Sequence, residues 1–449
     1  MIETIDIAAF FPEIILSALL MVVLFLGIFG EKENYRVVMR LGVLSLVAAG
    51  IVVYRQDVAT VMAFSKYIKL LVIALAAVSL LMSTEYLELH KIDNPKYPSL
   101  IIFALIGMMI SISATNLAWL FAGLEMQTAS LYGIASIQHK RMHIKEAGSK
   151  YFLLGAVSAV LFAYAAYLIF KDTGSINSLA ISAAPVYAVA ILTAAIIFKV
   201  TVMPFKMLPS SPVVAFFSVA PKLTAIAAIT SFIAKPFTLA DSVSQEIIIV
   251  VSIAMMVFGS VASLRQKKLK NLFAHASMYH MGYALMCFAV SSMEGMKSFV
   301  VYITLYAVIS MGGFSAVLLM KRKGKTAEEI TTLEGLGREQ PKLALSFMLL
   351  LLSASAMPMI TSFMTKFHIF KDLLRRDLLD LTIVGLISSV VAAYCYLRII
   401  RRLYHYKPAH PIDLPESDFL VFILNLSIVA VVVFMIFPDV LVGLAERLF

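Results

Sequence analysis

Charge is what this sequence has least of. Only 14% of its 449 residues are Asp, Glu, Lys or Arg, whereas an ordinary soluble domain carries roughly 25%. A soluble protein needs polar groups to cover its surface, so the shortage excludes any large soluble domain. Cysteine is almost absent too. The two present, Cys287 and Cys395, lie inside apolar runs without CxxC spacing, which excludes a disulfide framework and a thiolate-held cluster. No phosphate loop, nucleophile elbow or metal-ligand spacing occurs, which argues against a stand-alone enzyme. The first apolar run, Ile14–Phe29, has neither a basic leader nor a small-residue cleavage site ahead of it, so it reads as a retained helix. The formal net charge of +10 reports membrane topology before anything else, and no nucleic-acid partner is expected.

What fills the chain instead is hydrophobic sequence, 61% of all residues. Apolar runs fall near 10–30, 38–54, 58–84, 98–114, 117–137, 149–170, 181–206, 212–234, 245–264, 271–292, 297–320, 342–369, 379–400 and 418–437. These fourteen runs predict an all-α polytopic membrane protein in a lipid bilayer. A lipid-exposed backbone must satisfy its own hydrogen bonds, and a barrel would show alternating polarity. The basic residues test that count. Of the 37 Lys and Arg residues, 24 fall in odd-numbered loops and 9 in even-numbered ones. The bias puts the odd loops in the cytoplasm and both termini outside. The run Lys321–Lys325 is most simply part of this signal.

Spans seven and twelve each carry an interior Met-Pro, at Met203-Pro204 and Met357-Pro358. Proline removes a helix hydrogen bond and crowds the preceding turn, so both helices are expected to break. Interrupted helices at corresponding positions point to a duplicated transporter, and five is an odd number of spans, so the second repeat is inverted. The expected organisation is three leading helices over 1–97, one five-helix repeat over 98–234, a second over 245–400, and a last helix within 401–449.

Three lysines belong to no loop: Lys199, Lys222 and Lys366. Glu125 is the carboxylate that penetrates deepest into a span. A lysine at bilayer depth is costly unless neutral, paired or wetted, and a carboxylate brought close favours its charged form. Switchable lysines of this kind suit a proton relay better than a metal site. Snorkelling to an interface is the plain alternative, most of all for Lys366, which has His368 and Lys371 nearby. His275 and His280, with Tyr279 and Tyr283 nearby, read equally well as relay members or as packed histidines. Most other tyrosines read as lipid-facing or interfacial anchors.

Taken together, Gly123-Leu-Glu125-Met, Glu146-Ala-Gly-Ser-Lys-Tyr-Phe-Leu-Leu-Gly155, Phe198-Lys199-Val-Thr-Val-Met-Pro204-Phe, Ala215-Phe-Phe-Ser-Val-Ala-Pro-Lys222 and Thr365-Lys366-Phe resemble the antiporter-like subunit N family of bacterial NADH–quinone oxidoreductase, respiratory complex I. Gly259-Ser-Val-Ala-Ser-Leu-Arg-Gln and His280-Met-Gly-Tyr283 fit the same pattern. The resemblance covers nearly the whole chain. It implies about fourteen transmembrane helices in two inverted five-helix repeats, broken at helices seven and twelve. It also implies a proton pathway through Glu125, Lys199, Lys222 and Lys366. No cofactor is expected in this chain; NADH, FMN, iron–sulfur clusters and quinone belong to the rest of the complex, with other membrane subunits as partners. The implied location is the bacterial inner membrane. One departure follows Pro204-Phe205, where the chain reads Lys206-Met-Leu-Pro-Ser-Ser-Pro212. This stretch is several residues shorter than the family pattern and has Lys206 in place of a histidine. The second part of helix seven is therefore expected to be at most about two turns, and a non-conducting scaffold subunit becomes an alternative. A subunit of a multi-subunit cation/proton antiporter is another.

Overall fold

A computed structural model describes residues 9–29, 35–57, 63–89, 94–137, 142–201, 211–232, 243–290, 292–322, 325–326, 329–355, 361–406 and 417–449. The helices in order are α1 (Phe11–Phe29), α2 (Tyr35–Arg55), α3 (Ala63–Leu89), α4 (Tyr97–Ser113), α5 (Leu117–Ile137), α6 (Met142–Thr173), α7 (Val186–Thr201), α8 (Ser211–Phe232) and α9 (Val243–Leu264). They continue with α10 (Leu269–Ala289), α11 (Met293–Leu319), α12 (Leu336–Glu339), α13 (Pro341–Ser355), α14 (Thr361–Leu374), α15 (Leu379–His405), α16 (Asp418–Ile436) and α17 (Asp439–Glu446). Each of the fourteen apolar runs holds a helix. Among the described residues, nine helices are long and apolar enough to cross a membrane. Large apolar side chains such as Phe25, Leu44, Val160, Phe258 and Val390 are exposed, as a surface in contact with lipid requires.

The chain divides into two compact units. One holds residues 1–209 and 220–244, and the other holds 210–219 and 245–447. In the first unit α4 lies tightly on α5. A Cβ on Gly123 would stand 2.5 Å from the Gly107 carbonyl oxygen and closer still to Ser111 Oγ, so only hydrogen fits there. In the second unit α9 meets α10 the same way, and a Cβ on Gly259 would collide with the Tyr279 amide nitrogen. Arg398 of α15 donates to the carbonyls of Leu264 and Gln266 at 2.7 and 3.2 Å. It thereby caps the C-terminal end of α9, where backbone acceptors run out of helical partners.

Span twelve is two helices, α13 and α14. The end of α13 exposes carbonyls that have no helical donor, and the Ser362 hydroxyl of α14 donates to one of them, Ser353 O. The breaking Pro358 lies outside the described residues, as does the stretch 202–210 between α7 and α8 with Pro204 and Lys206. The expected short post-proline segment of helix seven therefore also falls outside them.

Four boundaries depart from the sequence reading. α6 begins at Met142, so Lys145 is helical rather than part of a loop. A 3₁₀ turn, Ser178–Ala183, precedes α7. Lys321–Arg322 pairs antiparallel with Lys325–Thr326, a two-residue ribbon inside the basic run. Finally, α3 runs from Ala63 to Leu89, later at both ends than the apolar run at 58–84, with Lys66 and Lys69 in its first two turns. Lys69 is wholly buried there. The clean apolar stretch of this run begins only after it, so Lys69 does not stand out in the sequence as a charge in mid-span.

Candidate functional site

In the first unit Glu125 projects from α5 and Lys199 from α7. Glu125 lies eight residues into its helix and Lys199 thirteen, or about 12 and 20 Å along the axis. Both therefore reach well into an apolar layer. Lys199 Nζ donates to Glu125 Oε1 in an ion pair. The lysine side chain is 9% exposed and the carboxylate 35%, so the acid keeps an open side while the base is enclosed. Lys222 of α8 is fully buried and follows Pro221 within the helix. Proline brings no N–H, so the Phe217 carbonyl has no helical donor one turn before the lysine.

In the second unit Lys366 of α14 is 2% exposed. Its Nζ donates to Tyr279 Oη at 2.5 Å and Ser389 Oγ at 3.1 Å. It also lies 4.8 Å from the ring centre of Tyr279 and 4.3 Å from that of Tyr283, within cation–π range. Ser389 Oγ is a hub, 3.2 Å from Tyr279 Oη and 2.9 Å from Tyr283 Oη, and Tyr283 donates onward to the Gly385 carbonyl. A second cluster adjoins the first. His280 places Nδ1 2.8 Å from Tyr302 Oη and Nε2 3.2 Å from Tyr396 Oη, and its ring stacks on Tyr306 at 4.5 Å. The two clusters touch through rings, Tyr279 edge-on to His280 at 4.9 Å and Tyr283 stacked on Tyr302 at 6.1 Å. A narrow crevice lined by Ser260, Ser263, Tyr279, Cys395 and Tyr396 runs beside them.

The structure thus brings Glu125 together with Lys199, and sets Lys366 beside the cluster that holds His280. His275 turns Nδ1 to the carbonyl of Asn271 on its own helix at 2.7 Å. Snorkelling does not describe Lys222 or Lys366, since both are enclosed. Sequence reasoning missed Tyr302, Tyr396 and Ser389. The two tyrosines are 2% exposed rather than anchors at a lipid interface, and no local pattern separates them from the exposed Tyr164, Tyr167 and Tyr394. Among the described residues no three His, Cys, Asp or Glu side chains converge as metal ligands, and Cys287 and Cys395 are free thiols in the interior.

Residues 114–392 match the family described as NADH:quinone oxidoreductase/Mrp antiporter, TM. The subunit N of NADH-quinone oxidoreductase from Pelagibacter ubique (strain HTCC1062) is 34% identical over 461 aligned positions, which cover 97% of this chain and 98% of that protein. The chain belongs to the NADH-quinone oxidoreductase subunit N family. The fold agrees. A chain of respiratory complex I from Thermus thermophilus superposes with a TM-score of 0.80 at 23% identity, covering 96% of this chain and 98% of that one. A chain of the Mrp complex from Dietzia sp. DQ12-45-1b gives 0.79 at 16% identity, with coverage of 99% and 97%. Backbone shape alone is shared by both kinds of assembly, so it is the sequence that places the chain among the subunit N proteins. This is an antiporter-like membrane fold of apolar helices, and its buried lysines belong to that fold's interior.

Proposed function

We propose that this subunit N protein moves protons across the bacterial inner membrane as part of an NADH-quinone oxidoreductase, with Glu125, Lys199, Lys222 and Lys366 as the proton-carrying groups. The observation that carries this reading is the Lys199–Glu125 ion pair inside the first helical unit. A lysine that is enclosed and whose countercharge stands on a different helix changes its proton affinity when that carboxylate moves. Redox chemistry elsewhere in the complex, where NADH, FMN, iron–sulfur clusters and quinone reside, would supply the displacement through neighbouring membrane subunits. His280 and His275 extend the second half of the relay.

Residues 98–234 and 245–400 act as the two inverted half-channels, 1–97 as a leading three-helix group, and 401–449 carries the closing helix. Both termini face the outer side, since the excess of Lys and Arg in odd loops holds those loops in the cytoplasm.

Glu125→Gln keeps the shape of the side chain and removes its charge. In inverted membrane vesicles with the complex assembled, the variant is expected to lose most proton uptake driven by NADH. Undiminished uptake would remove Glu125 from the relay and favour a scaffold subunit that conducts nothing.

A further inference from the structure

One buried ion pair takes no part in that relay. Glu13, in the first turn of α1, accepts from Lys69 Nζ of α3 at 2.8 Å. The same oxygen, Oε1, accepts from Ser113 Oγ, on the last residue of α4, at 2.7 Å. Both charged side chains are enclosed, Lys69 at 0% and Glu13 at 4% exposure. The second carboxylate oxygen, Oε2, is buried and has no partner among the described residues.

The place of this cluster in the helices is consistent. α1, α3 and α5 begin where α2 and α4 end, so Glu13, Lys69 and Ser113 share one end of the first unit. Trp119, at the start of α5, packs on Phe10 there at 5.5 Å, and the lone tryptophan fits the aromatic belt of a membrane interface. The charge bias of the loops makes this the outer end. The other polar groups facing the pair are few. Lys69 Nζ also reaches Ala9 O at 3.4 Å, and the Gln56 side-chain amide donates to the same carbonyl at 3.4 Å. Lys66 donates to the Gln56 backbone carbonyl at 2.7 Å and lies over the Tyr54 ring, and Asp57 follows Gln56 at the end of α2.

Fastening helices does not call for this arrangement. Two enclosed charges lose their hydration, and apolar side chains of similar volume hold helices at least as well. A carboxylate oxygen buried without a donor adds a further penalty. The same oxygen is the natural place for a proton. We propose that Glu13, Lys69 and Ser113 form a proton-release site at the outer end of this subunit, with Glu13 Oε2 as the atom that takes and gives up the proton. The direction of release rests on the transport function proposed above. At rest the pair is a carboxylate and an ammonium. An arriving proton forms an O–H bond on Oε2, and the site then carries one positive charge. The Lys69 ammonium opposes that added charge, the O–H bond breaks, and the proton passes to water outside. Ser113 holds Oε1 in place.

Redox-difference infrared spectroscopy of the assembled complex tests this directly. A protonated-carboxyl component that moves down in heavy water is expected in the wild type and is expected to be lost in Glu13→Gln while any component from Glu125 remains, with slower proton release. Spectra identical with and without Glu13 overturn the site. Where Glu13→Gln does not assemble, Glu13→Asp carries the test, since a shorter acid must shift the band, and an unshifted band overturns the proposal. If Glu125→Gln abolishes pumping while Glu13→Gln changes neither spectrum nor pumping, only the release site falls. If neither variant changes anything, the relay falls with it.

Discussion

Two lysines in this molecule are kept in apolar surroundings by different means. Lys199 has a full countercharge in Glu125. Lys366 makes no ion pair among the described residues, and its contacts are hydroxyls and ring faces. Neutral dipoles and aromatic quadrupoles support an ammonium less firmly than a carboxylate does, so the contacts of Lys366 bind it less tightly in place than Glu125 binds Lys199. Tyr279 is then a positioning residue for Lys366. Tyr279→Phe removes the 2.5 Å hydrogen bond and keeps the ring. A hydrogen bond to a charged group is worth about 1.5–3 kcal/mol, so the rate of coupled proton transfer is expected to fall roughly tenfold or more, with its pH profile displaced. Turnover and pH profile of the assembled variant measure this, and a wild-type profile would remove Tyr279 from the site. At this scale the sequence is informative where a residue is chemically out of place. A lysine in an apolar run is conspicuous, and Lys199, Lys222 and Lys366 stand out for that reason. Tyr302, Tyr396 and Ser389 are ordinary in such a run, and only the packing of α10, α11, α14 and α15 reveals them. Lys69 escapes notice because it stands near a helix start, and its partner is 56 positions away at Glu13.

Helices here are placed by the absence of side chains as much as by their presence. Gly123 stands two residues before Glu125 and lets α4 approach α5 until backbone and the Ser111 hydroxyl fill the space. Any larger residue must push the two helices apart and carry Glu125 with them. Gly123→Leu is expected to destabilise the subunit by about 1–3 kcal/mol, the usual range for overpacking, and to weaken the Glu125–Lys199 pair. Thermal unfolding of the purified complex, together with its pumping rate, checks this. Unchanged stability would show that α4 and α5 have slack that the geometry denies. Element identity was largely legible, because fourteen apolar runs separated by charge clusters admit few other readings. The ends were not. α6 reaches back to Met142 because helix continues through polar residues once past the apolar layer, and hydropathy cannot see that. The division of span twelve followed from Pro358, whereas the Ser362 hydroxyl that satisfies the broken end is a tertiary detail.

Over the whole molecule, membership of the subunit N family and the buried lysines lead to one account. Apolar helices solve the problem of lying in lipid, and the few charges they enclose are kept for work. On the proposed reading loop charges orient the chain, the helix interiors hold the relay, and Glu13 with Lys69 closes the outer end of the first unit. Family and fold class were readable from motif order, since the spacing of Glu125, Lys199, Lys222 and Lys366 is carried by local sequence. How each charge is compensated was not readable, because each partner comes from another helix. Lys222 is the most enclosed member of the relay, fully buried on a helix interrupted by Pro221. The decisive measurement is NADH-driven proton pumping in inverted vesicles carrying Lys222→Ala, with assembly of the complex confirmed. The account predicts loss of pumping, and of NADH oxidation coupled to quinone, in a complex that still assembles. Pumping at the wild-type rate would contradict it and leave this subunit a scaffold.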